Sequence, residues 1–337
     1  MNGVGSNAMF SRILSRLRAR RRCVGVDIGA ASIKVVRIDL DGDQPRSIAA
    51  CSRPTPRGVF EHYRIADPVA VGASLADALS ALDAHDLPIA VALPAPATMV
   101  RRLDVPRREL AGIGARVRSE MASLIADGGQ DLAFDFQIAG NGGGSETAEV
   151  LVVSARREVV SSFSRTVAEA RSRLAVADLD YFALQNAAEW SQPPSTRGTV
   201  LMLHVGQRYT AMNLVAADRS VFTAAIEIGG RGATFPPGED PATVAARAEV
   251  VQSICEDVHH TLNFYCSFLR ERPLDAILLS GGLAHAPGLA EAVATRIGAP
   301  VRCASTLPEG ETPEWELARQ PEFAVAAGLA TRASGDQ

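Results

Sequence analysis

Hydrophobic and polar positions divide this chain into short strands and amphipathic helices. Val24, Val26 and Ile28 alternate with Gly25, Asp27 and Gly29, and Ile33, Val35, Val36 and Ile38 are again β-branched, which predicts a hairpin with a small-residue turn. Val69, Leu75, Leu79 and Leu82 predict a helix over 67–86, and the apolar run 89–93, stopped by Pro94 and Pro96, predicts a buried strand. A β-α-β-β-α pattern follows between 94 and 178: a strand over 101–105, a helix over 107–126, strands at 134–138 and 150–154 around the tip 141–145, and a helix over 156–173. Gln192 to Thr196 reads as a linker. Beyond it the chain repeats its opening: a strand from Val200 to Gly206, a turn at Gln207-Arg208-Tyr209, and a returning strand from Thr210 to Val215. A long helix over 242–270, a strand from Ala276 running into Gly281-Gly282, a helix opened by Pro287-Gly288 and a last helix over 321–333 complete the pattern.

The first turn carries one carboxylate, one hydroxyl, one ammonium and two glycines. Asp27 could order a hydrated Mg²⁺, Ser32 and Lys34 could reach phosphate oxygens, and turn N–H groups can cradle an anion. The same residues also suit a buried hairpin with a turn Asp and a solvated Lys. Aligning Gly29 with Gly206 pairs Asp27 with His204, so two strand–Gly-turn–strand units suggest a duplicated bilobed fold with one phosphate loop per lobe. Gly281-Gly282 stands at a strand's carboxyl end, where nucleotides approach an α/β sheet. His259 and His260 are adjacent on a helix and point to different faces, which argues against a shared metal.

Composition narrows the classes. At 337 residues and 47% hydrophobic, the chain suits two domains or one bilobed body with a sizeable core. A net charge of −4 and only 5% aromatics argue against nucleic acid. The charge is uneven, because Arg12, Arg16, Arg18, Arg20, Arg21 and Arg22 precede residue 23 with no acid among them. With Phe10, Ile13, Leu14 and Leu17 at helical spacing, residues 1–22 read as a basic amphipathic or disordered leader able to touch an anionic membrane surface. Five scattered cysteines without C-x-x-C spacing argue for a reducing compartment and against a zinc site. No apolar run approaches the roughly 18 residues of a membrane span, and the leader lacks the apolar core of a signal peptide, so a cytoplasmic protein is expected.

From about residue 23 to 333 the chain resembles the actin-like ATPase superfamily and, within it, the PilM family of type IV pilus assembly proteins. The resemblance rests on Asp27-Ile28-Gly29-x-x-Ser32-x-Lys34, on Phe134-Asp135-Phe136-Gln137, on Ile226-Glu227-Ile228-Gly229-Gly230-Arg231, on Ser280-Gly281-Gly282 with Pro287-Gly288-Leu289, and on the closing Ala327-Gly328-Leu329-Ala330. It implies an α/β, bilobed actin-like (ribonuclease H-like, duplicated) fold. Subdomain 1A would comprise 23–93 and 321–333, with an inserted 1C-type β-α-β-β-α subdomain at 94–178, a helix and linker at 179–198, and the second lobe at 199–320. It implies a nucleotide site at Asp27, Gly29, Ser32, Lys34, Gly206, Gly229, Gly230, Gly281 and Gly282, with ATP and Mg²⁺ as ligands and Asp27 holding the metal through water. It further implies a cytoplasmic scaffold peripheral to the inner membrane. Such a scaffold docks the cytoplasmic tail of a PilN-like protein between subdomains 1A and 1C, beside pilus motor or platform proteins.

Two departures from the family pattern qualify this. His204-Val205-Gly206 stands where the second phosphate loop should begin Asp-x-Gly, and imidazole is a poor partner for Mg²⁺, so hydrolysis is not expected. Only about a dozen Pro- and Gly-rich residues, 232–242, stand where the family's 2B region covers the adenine, which reduces that wall. An active ATPase or kinase of the same superfamily is the alternative. It would need an Asp base near the second loop, and Asp218 lies too far along the strand. A scaffold like the type II secretion protein GspL is a further alternative, and that protein continues into a membrane span.

Overall fold

The computed structural model describes residues 21–41, 44–123, 131–141, 146–191, 198–216, 219–229, 241–265, 269, 273–305, 307, 309 and 312–332. The leader up to residue 20, the linker 192–197, Asp218, Gly230 and the 231–240 segment lie outside the described residues.

The opening hairpin forms as its alternation predicts. β1 (Arg21–Ile28) pairs antiparallel with β2 (Ser32–Asp41), and β2 pairs with β3 (Gln44–Pro54). After the short strands β4 (Phe60–Glu61) and β5 (Arg64–Ile65) and helix α1 (Pro68–Ala81), β6 (Pro88–Leu93) adds parallel to β1. The third sheet holds β7 (Thr98–Pro106), β8 (Leu132–Asn141) and β9 (Thr147–Arg156) in the order β7-β9-β8, with α2 (Ile113–Ser123) packed on it through Ile113, Val117 and Met121.

Helix α3 (Arg157–Glu169) follows β9, and β10 (Arg173–Leu179) then pairs parallel with β6. The sequence places α3 within the 94–178 insert, but its Val159, Phe163 and Val167 are buried in the core of the first sheet, where β10 is the edge strand. The packing therefore gathers β7, α2, β8 and β9 into one module and returns α3 and β10 to the first sheet.

After α4 (Asp180–Ser191), the second half repeats the first. β11 (Val200–Val205), β12 (Thr210–Ala216) and β13 (Arg219–Ile226) form an antiparallel meander, followed by α5 (Pro241–Tyr265), β14 (Ala276–Ser280), α6 (Leu289–Ile297) and β15 (Val301–Cys303). The order β13-β12-β11-β14-β15 matches β3-β2-β1-β6-β10, with the central strands parallel to their later partners in both sheets. Helix α7 (Pro313–Ala318) leads into α8 (Ala324–Arg332).

Burial on both faces explains the apolar runs. Val24, Val26, Ile89 and Val91 face α1 and α3, while Ala90 and Ala92 face α4 and α8. Met202 and Val215 of the second sheet meet the same two helices from the other side, and Leu201, Leu203 and Val205 pack on α5 and α6. Helices α4 and α8 thus form the layer between two sheets. Small residues permit this closeness: a Cβ on Gly25 would lie 2.0 Å from the Ala326 carbonyl oxygen, and one on Gly328 would lie 1.7 Å from that of Ala183. No described helix is long and apolar enough to cross a membrane.

Candidate functional site

The two hairpin tips meet at a cavity of about 280 Å³. At the first tip the Gly29 N–H donates to the Ser32 carbonyl (3.1 Å), the Thr55 hydroxyl donates to the Gly29 carbonyl (2.7 Å), and the Thr55 N–H donates to Ala31 (3.1 Å). The register sets Lys34 opposite Asp27, and its ammonium stands 3.4 Å from Asp27 Oδ2 with both side chains largely buried. At the second tip the Gly206 N–H donates to the Tyr209 carbonyl (3.0 Å), so the turn is the same. The register there sets Ala211 opposite His204, and no ammonium is supplied. His204 is buried with Nδ1 3.1 Å from Ser280 Oγ. Burial pushes its pKa down to about 4, while Asp27 pulls it up and Lys34 pushes it down, so the ring is neutral at pH 7.

Asp27, Gly29, Ser32, Lys34, Gly206 and Gly282 all line this cavity. Gly229 and Gly281 support it from behind. A Cβ on Gly229 would lie 2.5 Å from the Gly206 carbonyl oxygen, and Gly281, at φ 95°, would place one 2.4 Å from that of Val205. These two glycines are thus required by backbone packing at the second tip. Gly230 lies outside the described residues.

The structure adds residues that the sequence did not single out. Asp180 opens α4 directly after β10 and is buried, and its Oδ2 accepts from the Ala95 N–H (3.0 Å) and the Tyr209 hydroxyl (2.8 Å). Burial raises its pKa to about 7 against the pull of these donors and the Tyr181 backbone, with Asp27 adding to the rise. Burial likewise raises the Tyr209 hydroxyl. Arg208, in the second turn, holds its guanidinium 5.1 Å from the Tyr63 ring centre and 5.8 Å from that of Phe60, and Tyr63 meets Tyr209 edge-on at 6.0 Å. A carboxylate at the carboxyl end of a parallel strand is the one signal that could have flagged Asp180.

This donor set suits phosphate better than Mg²⁺. Two glycine turns and two cations, Lys34 and Arg208, face the cavity. For a metal the lining offers two carboxylates: Asp27, already beside an ammonium, and Glu322, while Asp180 Oδ2 is committed to two donors and His204 offers nitrogen. Among the described residues no three His, Cys, Asp or Glu side chains are grouped to hold a metal ion. With Asp27 held by Lys34 and an imidazole at the second turn, the charge facing the cavity suits phosphate oxygens more than Mg²⁺.

A second feature is a groove of about 540 Å³ between the third sheet and the first. Phe136, Leu151, Val153, Leu179 and Phe182 give it an apolar lining, with Asp135, Gln185 and Asn186 among its polar groups. Two strands that line it, β8 and β10, are edge strands of their sheets. Arg219 of the second lobe closes one end, donating to Glu149 (2.6 Å), which also pairs with Arg102. Burial raises the Glu149 pKa, but the two guanidiniums outweigh it and hold the carboxyl below its usual range.

Two sheets of one strand order, sharing a helical layer and meeting at paired hairpin tips, define the actin-like fold. Ethanolamine utilization protein EutJ from Carboxydothermus hydrogenoformans is similar in structure, with a TM-score of 0.52 at 14% identity over 92% of this chain and 89% of that one. The structure of a "PilM-PilN type IV pilus biogenesis complex" matches with a TM-score of 0.76 at 22% identity, over 94% of this chain and all of that one. The family model for type IV pilus assembly protein PilM matches residues 25–235. The chain belongs to the PilM family of type IV pilus assembly proteins.

Proposed function

We propose that this protein is a scaffold of the type IV pilus assembly platform, peripheral to the cytoplasmic face of the inner membrane, and that it docks the cytoplasmic tail of a PilN-like protein in the groove between β8–β9 and β10–α4. The groove is the observation that carries this reading: its mixed lining, apolar at Phe136, Leu151, Val153, Leu179 and Phe182 among polar groups, and its two edge strands suit an extended segment that adds main-chain hydrogen bonds and seats alternate side chains. The structurally similar complex, solved with PilN, supports the choice of partner. The leader, with Arg12, Arg16, Arg18 and Arg20 ahead of β1, serves as an added membrane contact in this proposal, while Arg21 and Arg22 belong to the first strand.

The cleft in this reading is a degenerate nucleotide site, with Asp27, Gly29, Ser32, Lys34, Gly206 and Gly282 around the phosphates and Gly229 and Gly281 shaping the tip. With an imidazole at His204 in place of a carboxylate, the second turn offers no oxygen ligand to hold Mg²⁺ against the phosphates, and in this reading nucleotide is held and not turned over. Titration of a synthetic PilN-tail peptide into the full chain tests the scaffold role. Saturable binding that Phe182→Asp weakens by about tenfold or more is expected. No binding, together with measurable ATP turnover, would replace this reading with that of an enzyme.

A further inference from the structure

We propose that the cleft takes a nucleoside polyphosphate without a divalent metal, with Arg208 and Lys34 supplying the positive charge that Mg²⁺ would otherwise bring. This rests on the nucleotide reading of the cleft. The charged lining of the cavity consists of two carboxylates, Asp27 and Glu322, and two cations, Lys34 and Arg208. Asp27 is matched by the Lys34 ammonium 3.4 Å away before any ion arrives, and the Arg208 guanidinium is left to face phosphate.

The cations also come from opposite lobes. Lys34 stands on β2 beside the first turn, and Arg208 is part of the second turn. Phosphates lying between the turns would meet one on each side. Arg208 has no ion pair with a carboxylate among the described residues, and it is steadied by the rings of Tyr63 and Phe60. A cation–π contact uses the charge of a guanidinium and leaves its N–H groups free to donate, two at a time, to phosphate oxygens. The first turn has Ala31 at the position that Arg208 occupies in the second. A bare turn there would leave the phosphates short of a cation once His204 had displaced the metal-binding carboxylate. Arg208 makes good that loss from within the same turn.

The test is calorimetric titration of ATP into the full chain, once in excess EDTA and once in excess MgCl₂. The expected result is a dissociation constant that changes by less than about twofold between the two, and that Arg208→Ala weakens about tenfold in EDTA, with Arg208→Lys recovering part of the loss. Tightening by Mg²⁺ of about tenfold or more would overturn the inference and leave the nucleotide reading standing. Unchanged affinity in Arg208→Ala would also overturn it. No binding in either buffer would overturn both.

Discussion

Val26-Asp27-Ile28-Gly29 and Leu203-His204-Val205-Gly206 end the central strands of two sheets with the same strand order, and both are followed by a turn closed by the same glycine N–H bond. The side chains on that shared frame have diverged. Asp27 faces His204, Ser32 corresponds to Tyr209, Lys34 to Ala211, and Gly25 to Met202. The first hairpin keeps a carboxylate and an ammonium aimed at the cavity. The second turns part of its polar capacity toward the protein, His204 to Ser280 and Tyr209 to Asp180, and keeps Arg208 at the cavity over rings of the other lobe. A fold built to close around a ligand here closes partly around its own side chains. Backbone register tolerates such a change because the apolar alternation that sets it is untouched.

The largest expected contrast between the halves is in pH dependence. Asp180 has its folded pKa raised from 3.8 to about 7, so the folded state holds a proton that the unfolded chain releases, and its contribution to stability falls by about 4 kcal/mol as pH rises from 4 to 7. His204 has its folded pKa lowered from 6.5 to about 4, so its contribution rises by about 3 kcal/mol between pH 4 and 6.5. The two oppose each other. Urea unfolding of Asp180→Asn should therefore show stability rising more steeply with pH than in the parent, and His204→Asn should show it rising less. Parallel profiles would mean that neither group is held as described.

Packing gives the next contrast. Gly25→Ala should cost about 3 kcal/mol, because its Cβ meets the backbone of α8. At the matching position Met202→Ala should cost about 2 kcal/mol as an ordinary cavity between β11 and α4–α8. Equal and small losses would show that α8 is not seated as closely as drawn. The turns should differ least. Tyr209→Phe removes a donor from buried Asp180 and should cost about 1–2 kcal/mol, while Ser32→Ala should stay within about 0.5 kcal/mol.

Both hairpins, the helices over α1, α5 and α6, and the offset between the halves were legible because apolar alternation and glycine turns are local signals. β10 was not, since as an edge strand it buries only its last two residues, and it follows a helix whose periodicity masks its start. β3 was missed for a related reason: an edge strand flanked by Pro45 and Pro54, it has Ile48 and Ala50 as its buried apolar positions. At the site, Asp27, Lys34 and His204 stood out by motif, but Asp180 matters only because Tyr209 and Ala95 reach it across the fold. Phe60 stands on β4 and Tyr63 in the turn to β5, where His62 and Tyr63 adopt φ of 45° and 66°, a conformation that no sequence signal announces. The groove draws on β8, β9, β10, α4 and β13, which only tertiary contact assembles.

In this reading His204 has ended metal use at the second turn. The direct measurement is ATP affinity with and without Mg²⁺ for the parent and for His204→Asp. The expected result is a parent indifferent to Mg²⁺ and a variant whose affinity Mg²⁺ raises by about tenfold, because the new carboxylate faces Asp27 across the cavity. A parent that already requires Mg²⁺, with His204→Asp no more dependent on it, would contradict the account.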